Sequence, residues 1–186
     1  NDMEEIDYLT LNNFLEKYSD NDFLIFGFTS TVYENLFSKI KSVQLKKDFR
    51  NGILIHGGGW KKLEDDKISN ENFKKKLNEK CNLKKIINYY GLIEQVGSIF
   101  FECPNCNVFI CSDYSDILIR DKNLNVIEKG RGFVQLLSLL PTSYPGHNIL
   151  TEDIGVLEGI DDPSVGDLVE RIIEEYNQAK KEFNDK

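Results

Sequence analysis

Three consecutive glycines, Gly57, Gly58 and Gly59, stand between the apolar run at residues 53–56 and Trp60. β-Favouring residues followed by glycines predict a buried strand that ends at a turn where the backbone approaches a ligand closely. Unobstructed backbone amides can contact the edge of a flat ring or an anion, and Trp60 could line the same wall. An ordinary strand-to-loop turn explains this string equally well, so both interpretations stay open.

A second string combines an aromatic ring, a glycine and a carboxylate. Tyr90 ends the predicted strand at residues 85–90, Gly91 follows it, and Glu94 lies three residues further along in the same loop. The ring could stack on a base, and the carboxylate could hold Mg²⁺ beside a phosphate, because Mg²⁺ in nucleotide sites takes carboxylates and phosphate oxygens together. A surface glutamate is an equal interpretation of this segment alone. Small molecules bind at the carboxyl ends of strands in open α/β sheets, so we expect the two strand ends to form one site.

A third string, residues 141–155, is rich in Pro, Gly and Ser and passes into two neighbouring acidic residues. The carboxylate of Asp153 would suit the hydroxyls of a ribose, and the adjacent Glu152 could take this role instead. His147 lies in the same stretch and is the histidine that we select as a site candidate. The other histidine, His56, is expected to be a hydrogen-bonded structural residue.

Three cysteines have the beginnings of a metal-binding pattern. Cys103 and Cys106 have the two-residue gap of a zinc knuckle, and Cys111 follows five residues later. A fourth ligand could be Cys81 or a histidine. Because a second properly spaced pair is missing, reduced cysteines packed along strands remain the alternative to a Zn²⁺ site.

The elements that must position these residues follow from the hydrophobic pattern. Residues 9–18 predict a helix, with Thr10 as its N-cap. The apolar run at residues 23–28 predicts a strand buried on both faces, and residues 29–31 supply N-cap chemistry for the next helix. A further helix, capped at Ser69, precedes the strand that ends at Tyr90. Strands alternating with helices indicate crossover connections and a parallel sheet.

From residue 96 onward the pattern changes to short strands separated by turns, which predicts an antiparallel sheet or a small distorted barrel. The stretch 141–155 is predicted as a loop. Residues 160–186 predict a terminal amphipathic helix whose apolar stripe docks on the core. We therefore predict an α/β fold in three parts: a parallel-sheet part at 1–95, an antiparallel β subdomain at 96–159 and a terminal helix at 160–186.

Composition limits the class of protein. With 186 residues, the chain suits one domain, or one domain and a small addition. A formal net charge of -8 and a pI near 4.9 leave no basic excess for nucleic-acid backbones. No long apolar run or signal-peptide pattern places the chain in a membrane. Four cysteines do not form a secreted disulfide framework, so a cytoplasmic location is expected.

Taken together, these strings resemble the acyl-protein synthetases of bacterial bioluminescence, the LuxE type, within the adenylate-forming superfamily. The resemblance rests on His56–Lys61, Tyr90–Gln95, Thr142–His147 and Thr151–Gly155, which occur in the family's order. It extends from about Phe23 to Gly159. The string at Tyr90 alone is common, whereas the last two together are fairly specific.

The resemblance implies that a carboxylic acid, a fatty acid in this family, reacts with ATP and Mg²⁺ to give an acyl-adenylate, whose acyl group then passes to a thiol. It further implies that the glycines line the adenine, Tyr90 stacks on it, Glu94 holds Mg²⁺ or phosphate, and Asp153 binds the ribose. An acyl reductase or an acyltransferase would be the partner enzyme. The nucleotide-binding residues predicted in this way are Gly57, Gly58, Gly59, Trp60, Tyr90, Gly91 and Asp153, and the predicted catalytic residues are Glu94 and His147.

The departures from the family pattern suggest a second hypothesis. The family's phosphate loop has no equivalent before Phe23, and its small C-terminal domain has none after Gly159. We expect either a piece of a longer polypeptide or a natural short relative, and in both cases no turnover by this chain alone. The alternative to the ligase is a non-catalytic binding or scaffolding module, which Zn²⁺ at Cys103, Cys106 and Cys111 could stabilise.

Overall fold

The structure of the protein, a computed structural model, describes residues 6–40, 44–60, 68–104, 108–159 and 169–173. The chain divides into two compact units, Asn1–Asn88 and Tyr89–Lys186. This division lies a few residues before the predicted change near residue 95. Within the described ranges, no helix has both the length and the apolarity of a membrane span.

The first unit alternates helices with strands. Its strand order is β1-β2-β3, and β1 and β2 run parallel in a register that pairs Phe23 with Gly52 and Phe28 with Gly57. The predicted parallel α/β part is therefore confirmed. Its elements are α1 (Tyr8–Tyr18), β1 (Phe23–Phe28), the short α2 (Thr29–Thr31), a π-helix (Val32–Lys39), β2 (Gly52–Gly57), α3 (Asn70–Cys81) and β3 (Lys85–Tyr90).

Side-chain caps begin both longer helices. Asp7, not Thr10, caps α1, because its Oδ1 accepts from the backbone N–H groups of Leu9 and Thr10 at 3.0 and 3.1 Å. The hydroxyl of Thr10 itself donates to Asp7 Oδ2 at 2.6 Å. Ser69 caps α3 as predicted, accepting from the N–H of Asn72 at 3.3 Å. Each cap satisfies N–H groups that a helix cannot satisfy internally.

Strand β1 is buried on one face only, so the prediction of two buried faces is wrong. Leu24, Phe26 and Phe28 are 62%, 66% and 52% exposed. Phe23 and Ile25, on the opposite face, pack against the core. Successive side chains of a strand point to opposite faces, and only one face of β1 meets this core, so the continuous apolar run did not indicate double burial. The buried core residues of this unit include Leu15, Leu54, Phe73, Leu77 and Leu83.

The second unit is antiparallel, as predicted from residue 96 onward. Its strand order is β4-β5-β10-β9-β8-β6-β7, and the last two residues of β3 pair with β4. Its buried core includes Tyr90, Phe100, Ile119, Val134 and Leu136. The strands are β4 (Phe100–Glu102), β5 (Phe109–Ile110), β6 (Ser115–Arg120), β7 (Val126–Ile127), β8 (Gly130–Ser138), β9 (Asn148–Gly159) and β10 (Val169–Ile173).

Two predicted elements of this half have another form. Asn148–Gly159 is a long strand that pairs with β8, so the predicted loop 141–155 ends at residue 147. Val169–Ile173, predicted as part of the terminal helix, is a strand that pairs with β9 and β5. Val and Ile are β-branched and favour strands where a neighbouring edge offers backbone partners. The rest of the predicted terminal helix lies outside the described residues.

Candidate functional site

The second unit brings two of the predicted site residues into direct contact. Tyr90, the last residue of β3, donates its phenolic hydrogen to Asp153 Oδ2 in β9 at 2.6 Å, although the two residues are 63 positions apart. Tyr90 is 3% exposed, and Asp153 is partly exposed. Hydrogen bonds to an ionised carboxylate are shorter and stronger than bonds between neutral groups. This hydrogen bond therefore fixes the carboxylate of Asp153 at the surface, with one of its oxygens bonded to the buried Tyr90.

The ring of Tyr90 belongs to the core of this unit. Its centroid lies 6.2 Å from that of Phe100 and 6.3 Å from that of Phe109. Tyr90 also pairs with Phe100 in the ladder between β3 and β4. Because the ring is buried, the hydroxyl is the part of Tyr90 that contacts a candidate site residue. Stacking of a base on this ring stays a prediction.

A threonine holds the backbone of Asp153. Thr151 Oγ1 donates to the carbonyl of Val134 in β8 at 2.8 Å and accepts from the backbone N–H of Asp153 at 3.1 Å. Its neighbour Glu152 is exposed, and Asp153 is the carboxylate that accepts from Tyr90.

Glu94 lies on a short 3₁₀ turn, Ile93–Gln95, shortly after Tyr90. The turn is closed by the N–H of Gln95, which donates to the carbonyl of Leu92 at 3.2 Å, and by that of Ser98, which donates to Gln95 at 3.2 Å. Glu94 itself is exposed. A carboxylate in this position is open to a cation or a ligand.

Gln95, next to Glu94, is a buried polar residue that the sequence interpretation did not select. Its side chain is fully buried, and its Nε2 donates to the carbonyl of Gly146 at 2.8 Å and to that of Leu136 at 3.4 Å. Within the described part of the chain, its buried Oε1 has no hydrogen-bond partner. Gln95 lies between Ile93 and Val96, which are exposed, so no hydrophobic periodicity marks this position as buried. Its burial could not be predicted from the sequence pattern.

His147 lies beside a different group of polar residues. Its backbone carbonyl accepts from the N–H of Ser138 at 2.9 Å, and its side chain is exposed. It lines a cleft of about 450 Å³ together with Asp113, Tyr114, Ser115, Asp116, Leu137, Ser138, Leu139 and Asn148. A catalytic role for His147 stays a prediction.

In the first unit, the glycine string ends β2. Gly58 is exposed and has a φ of +77°, a left-handed conformation that favours glycine. Trp60 is 7% exposed, and its ring lies 4.9 Å from that of Tyr33 and 6.1 Å from that of Phe73. The backbone at Gly58 is therefore accessible, whereas Trp60 belongs to the core. Binding roles for Gly57, Gly59 and Trp60 stay predictions.

His56, in β2, is a buried structural residue, as its sequence context indicated. It is 2% exposed, and its Nδ1 shares a hydrogen bond of 3.0 Å with Thr29 Oγ1. Its ring packs 4.9 Å from the ring of Phe73. Burial, with a smaller contribution from the positive charge of Lys74, lowers the pKa of His56 to about 4. The imidazole is therefore neutral near pH 7.

Four of the charged groups that line another cleft in the first unit pair with one another. The cleft, of about 680 Å³, is lined by residues that precede β1, β2 and β3, including Asp20, Lys47, Asp48 and Arg50. Lys47 binds Asp20 at 2.9 Å, and Arg50 donates two bonds of 2.9 Å to Asp48. The guanidinium of Arg50 holds the pKa of Asp48 well below its usual value. Because these charges are already neutralised in pairs, we do not assign this cleft as the site.

The zinc hypothesis finds no support in the described residues. Cys106, the central member of the proposed trio, lies outside them, while Cys103 is 8% exposed and Cys111 is partly exposed. No group of three or more His, Cys, Asp or Glu residues in the described ranges is arranged to hold a metal ion. Cys81 belongs to the first unit, where burial raises the pKa of its thiol to about 11. A zinc site at Cys103, Cys106 and Cys111 stays a prediction.

Comparisons with known proteins identify one sequence family and one fold. The sequence profile of the family described as "Acyl-protein synthetase, LuxE" matches residues 2–183. None of the curated proteins compared with the chain matches it. An open conformation of 2-hydroxyisobutyryl-CoA ligase, in complex with 2-HIB-AMP and CoA, is similar with a TM-score of 0.64 and 16% identity. That match covers 89% of this chain and 35% of the ligase.

Two further solved structures show the same fold. The inhibitor-bound N-terminal domain of FACL13 from Mycobacterium tuberculosis has a TM-score of 0.59 and 14% identity, over 92% of this chain and 42% of that one. PA1221, an NRPS protein containing adenylation and PCP domains, has a TM-score of 0.57 and 13% identity, over 94% and 37%. At these identities the likeness shows the fold alone. The chain spans less than half the length of these proteins.

Proposed function

Because the chain belongs to the LuxE family of acyl-protein synthetases, we propose that it is the nucleotide-binding portion of an acyl-activating ligase. An oxygen of the acid's carboxylate attacks the α-phosphorus of ATP, and the bond from that phosphorus to the oxygen bridging to the β-phosphate breaks. Pyrophosphate leaves with the bonding electron pair. Attack of a thiolate on the acyl-adenylate then forms the thioester and releases AMP.

The observation that carries this proposal is the contact between Tyr90 and Asp153. It joins the end of β3 to β9 and presents one carboxylate at a surface of the second unit. An ionised carboxylate is an acceptor only, with lone pairs left after one bond from a phenol. It is therefore suited to accept the two vicinal hydroxyls of a ribose.

The remaining roles follow from exposure and chemistry. Glu94 offers exposed carboxylate oxygens, the ligands that Mg²⁺ prefers beside phosphates, so this residue fits the metal. When bound there, the metal would supply positive charge that offsets the charge of the phosphates. The amides at Gly58 would contact the adenine edge. Positioning and charge neutralisation are what transfer at the α-phosphate needs from the protein.

Family membership also supports the finer parts of the proposal. We propose a fatty acid as the activated acid, a protein thiol as the acceptor, and an acyl reductase or an acyltransferase as the partner enzyme. A cytoplasmic location agrees with cysteines that are not organised as a disulfide framework. None of these choices depends on the contact between Tyr90 and Asp153.

Titration calorimetry of ATP and of 2′,3′-dideoxy-ATP with the full chain tests the ribose role. D153N is expected to weaken ATP binding by about tenfold or more, since hydrogen bonds to charged groups contribute roughly 1.5–3 kcal/mol. It should leave the dideoxy analogue unaffected. E152Q, at the neighbouring exposed carboxylate, is the matched control and should bind both as the wild type does. Equal affinity of the wild-type chain for the two nucleotides would contradict the proposal.

A further inference from the structure

Two loops of the second unit meet at Gln95. The first, which we call the Glu94 turn, comprises residues 92–98, and the second, the Pro-Gly loop, comprises residues 141–147. Gln95 is fully buried, and its Nε2 donates to the carbonyl of Gly146 at 2.8 Å. One side chain thus links the turn that carries Glu94 to the loop that leads into β9.

A second bond strengthens this link. The backbone N–H of Val96 donates to the hydroxyl of Tyr144 at 3.1 Å. The ring of Tyr144 lies against Gly146, so closely that a methyl group at Gly146 would collide with it. The N–H of Gly146 also donates to the carbonyl of Tyr144 at 2.8 Å. The Pro-Gly loop is therefore a tight partner for the turn.

The neighbouring side chains Glu94 and Gln95 have opposite surroundings. Glu94 is exposed, whereas Gln95 is 0% exposed and bonded to backbone. An exposed carboxylate on a short turn has no fixed position unless the backbone beneath it is held. Removing the Nε2 donor of Gln95 would leave the carbonyl of Gly146 without this hydrogen bond. Losing a buried hydrogen bond lowers the free energy of unfolding by more than an exposed hydrogen bond contributes to it.

We infer that Gln95 is the positioning residue for Glu94, and that it sets the place at which this carboxylate meets the metal and phosphates of the nucleotide. This rests on the proposed function, because Glu94 has a metal to hold only if the chain binds Mg-ATP. Gln95 contacts backbone and not the ligand. Its effect should therefore be confined to the part of the affinity that depends on Mg²⁺.

The experiment compares Kd values for AMP, for ATP with a chelator and for ATP with Mg²⁺, by calorimetry on the full chain. Q95M keeps the length of the side chain and removes both donors. We expect the gain in ATP affinity on adding Mg²⁺ to fall by about tenfold, since small misplacements of a catalytic group have large effects. AMP affinity should stay within about twofold, because Asp153 is held independently by Tyr90 and Thr151.

Q135M is the matched control, a second buried glutamine of the same unit whose partners are Arg120 and Asn148. It should keep the Mg²⁺ gain of the wild type. Q95M that keeps the full gain, or that loses AMP affinity by the same factor, overturns the inference. The second of these results would mean a purely structural role.

Y144F is a second route that does not depend on a buried substitution. Tyr144 is 39% exposed, so the variant should fold normally while Val96 loses its acceptor. The Mg²⁺ gain should fall by about threefold, in line with the loss of one exposed bond. If Q95M does not fold, an unchanged gain in Y144F overturns the inference. A wild-type chain without any Mg²⁺ gain contradicts the proposed function itself, and is thereby distinguished from failure of the inference alone.

Discussion

In the first unit, the side chains of the two residues that flank the glycine string lie in the apolar core. In the second unit, the predicted site carboxylates lie at the surface. His56 and Trp60 are 2% and 7% exposed. Asp153 is partly exposed and Glu94 is exposed. Packing in the apolar core holds His56 and Trp60 in place. In the second unit, a hydrogen bond from Tyr90 holds the side chain of Asp153, and hydrogen bonds from Gln95 hold the backbone beside Glu94.

The two units therefore present different kinds of polar group. The first unit offers exposed backbone at Gly58, two residues before the buried Trp60. The second unit offers carboxylates, held by Tyr90, Thr151 and Gln95. Backbone donors suit the edge of a base, and carboxylates suit hydroxyls and metal ions.

The largest effect should come from opening the aromatic core of the first unit. F73A removes a ring that is 1% exposed and contacts His56 and Trp60. We expect the free energy of unfolding to fall by about 3–5 kcal/mol, the usual range for such truncations. Denaturant unfolding followed by Trp60 fluorescence measures this. F101A is the matched control, since Phe101 is 43% exposed, and it should cost much less. Similar losses in both variants would contradict the assignment of this core.

The next effect concerns pH and the same core. Burial lowers the pKa of His56 to about 4, below the usual value of 6.5. Between these two pKa values the folded state therefore binds fewer protons than the unfolded state. The contribution of neutral His56 to the free energy of unfolding is fully present above pH 6.5. It should be lost as the pH falls through 4, by about 3 kcal/mol in all. Denaturant unfolding between pH 7 and pH 4 measures this slope. H56Q should reduce it, whereas H147Q, at an exposed histidine, should not.

The smallest effect should come from the hydrogen bonds of the second unit. Y90F keeps the buried ring and removes the bond to Asp153, so the free energy of unfolding should fall by only about 1–2 kcal/mol. Affinity for ATP should fall while affinity for 2′,3′-dideoxy-ATP stays unchanged, because only the carboxylate loses its support. Y89F, at the neighbouring tyrosine, is the matched control. Loss of affinity for both nucleotides in Y90F would mean that the ring, rather than the hydroxyl, serves the site.

Much of the fold was predictable where periodicity and turn chemistry agree. Strand β3, Lys85–Tyr90, has the predicted bounds, and Ser69 caps α3 as predicted. The parallel and antiparallel halves followed from the spacing of helices and strands. Strand β1 was misjudged because a continuous apolar run does not reveal which of its faces meets other elements. Val169–Ile173 was misjudged because pairing with β9 and β5 overrides a helical spacing of apolar residues.

The site was predictable in part. Asp153 and Tyr90 were selected from their strings, and the structure shows a hydrogen bond between their side chains. Gln95 was not selected, because its importance lies in two bonds to backbone carbonyls that no residue type announces. The burial of Trp60 was also hidden, since an aromatic ring beside glycines suits a ligand wall and a core equally well.

The hydroxyl of Thr151 acts as a donor to Val134 and as an acceptor for Asp153 at the same time. Valine has nearly the same shape but can do neither, and alanine leaves a gap as well as two broken bonds. Serine is the replacement that preserves both functions. In a saturation library at this codon that is selected for ATP binding, we therefore expect the recovered clones to encode threonine or serine. Other residues of similar volume should not be recovered.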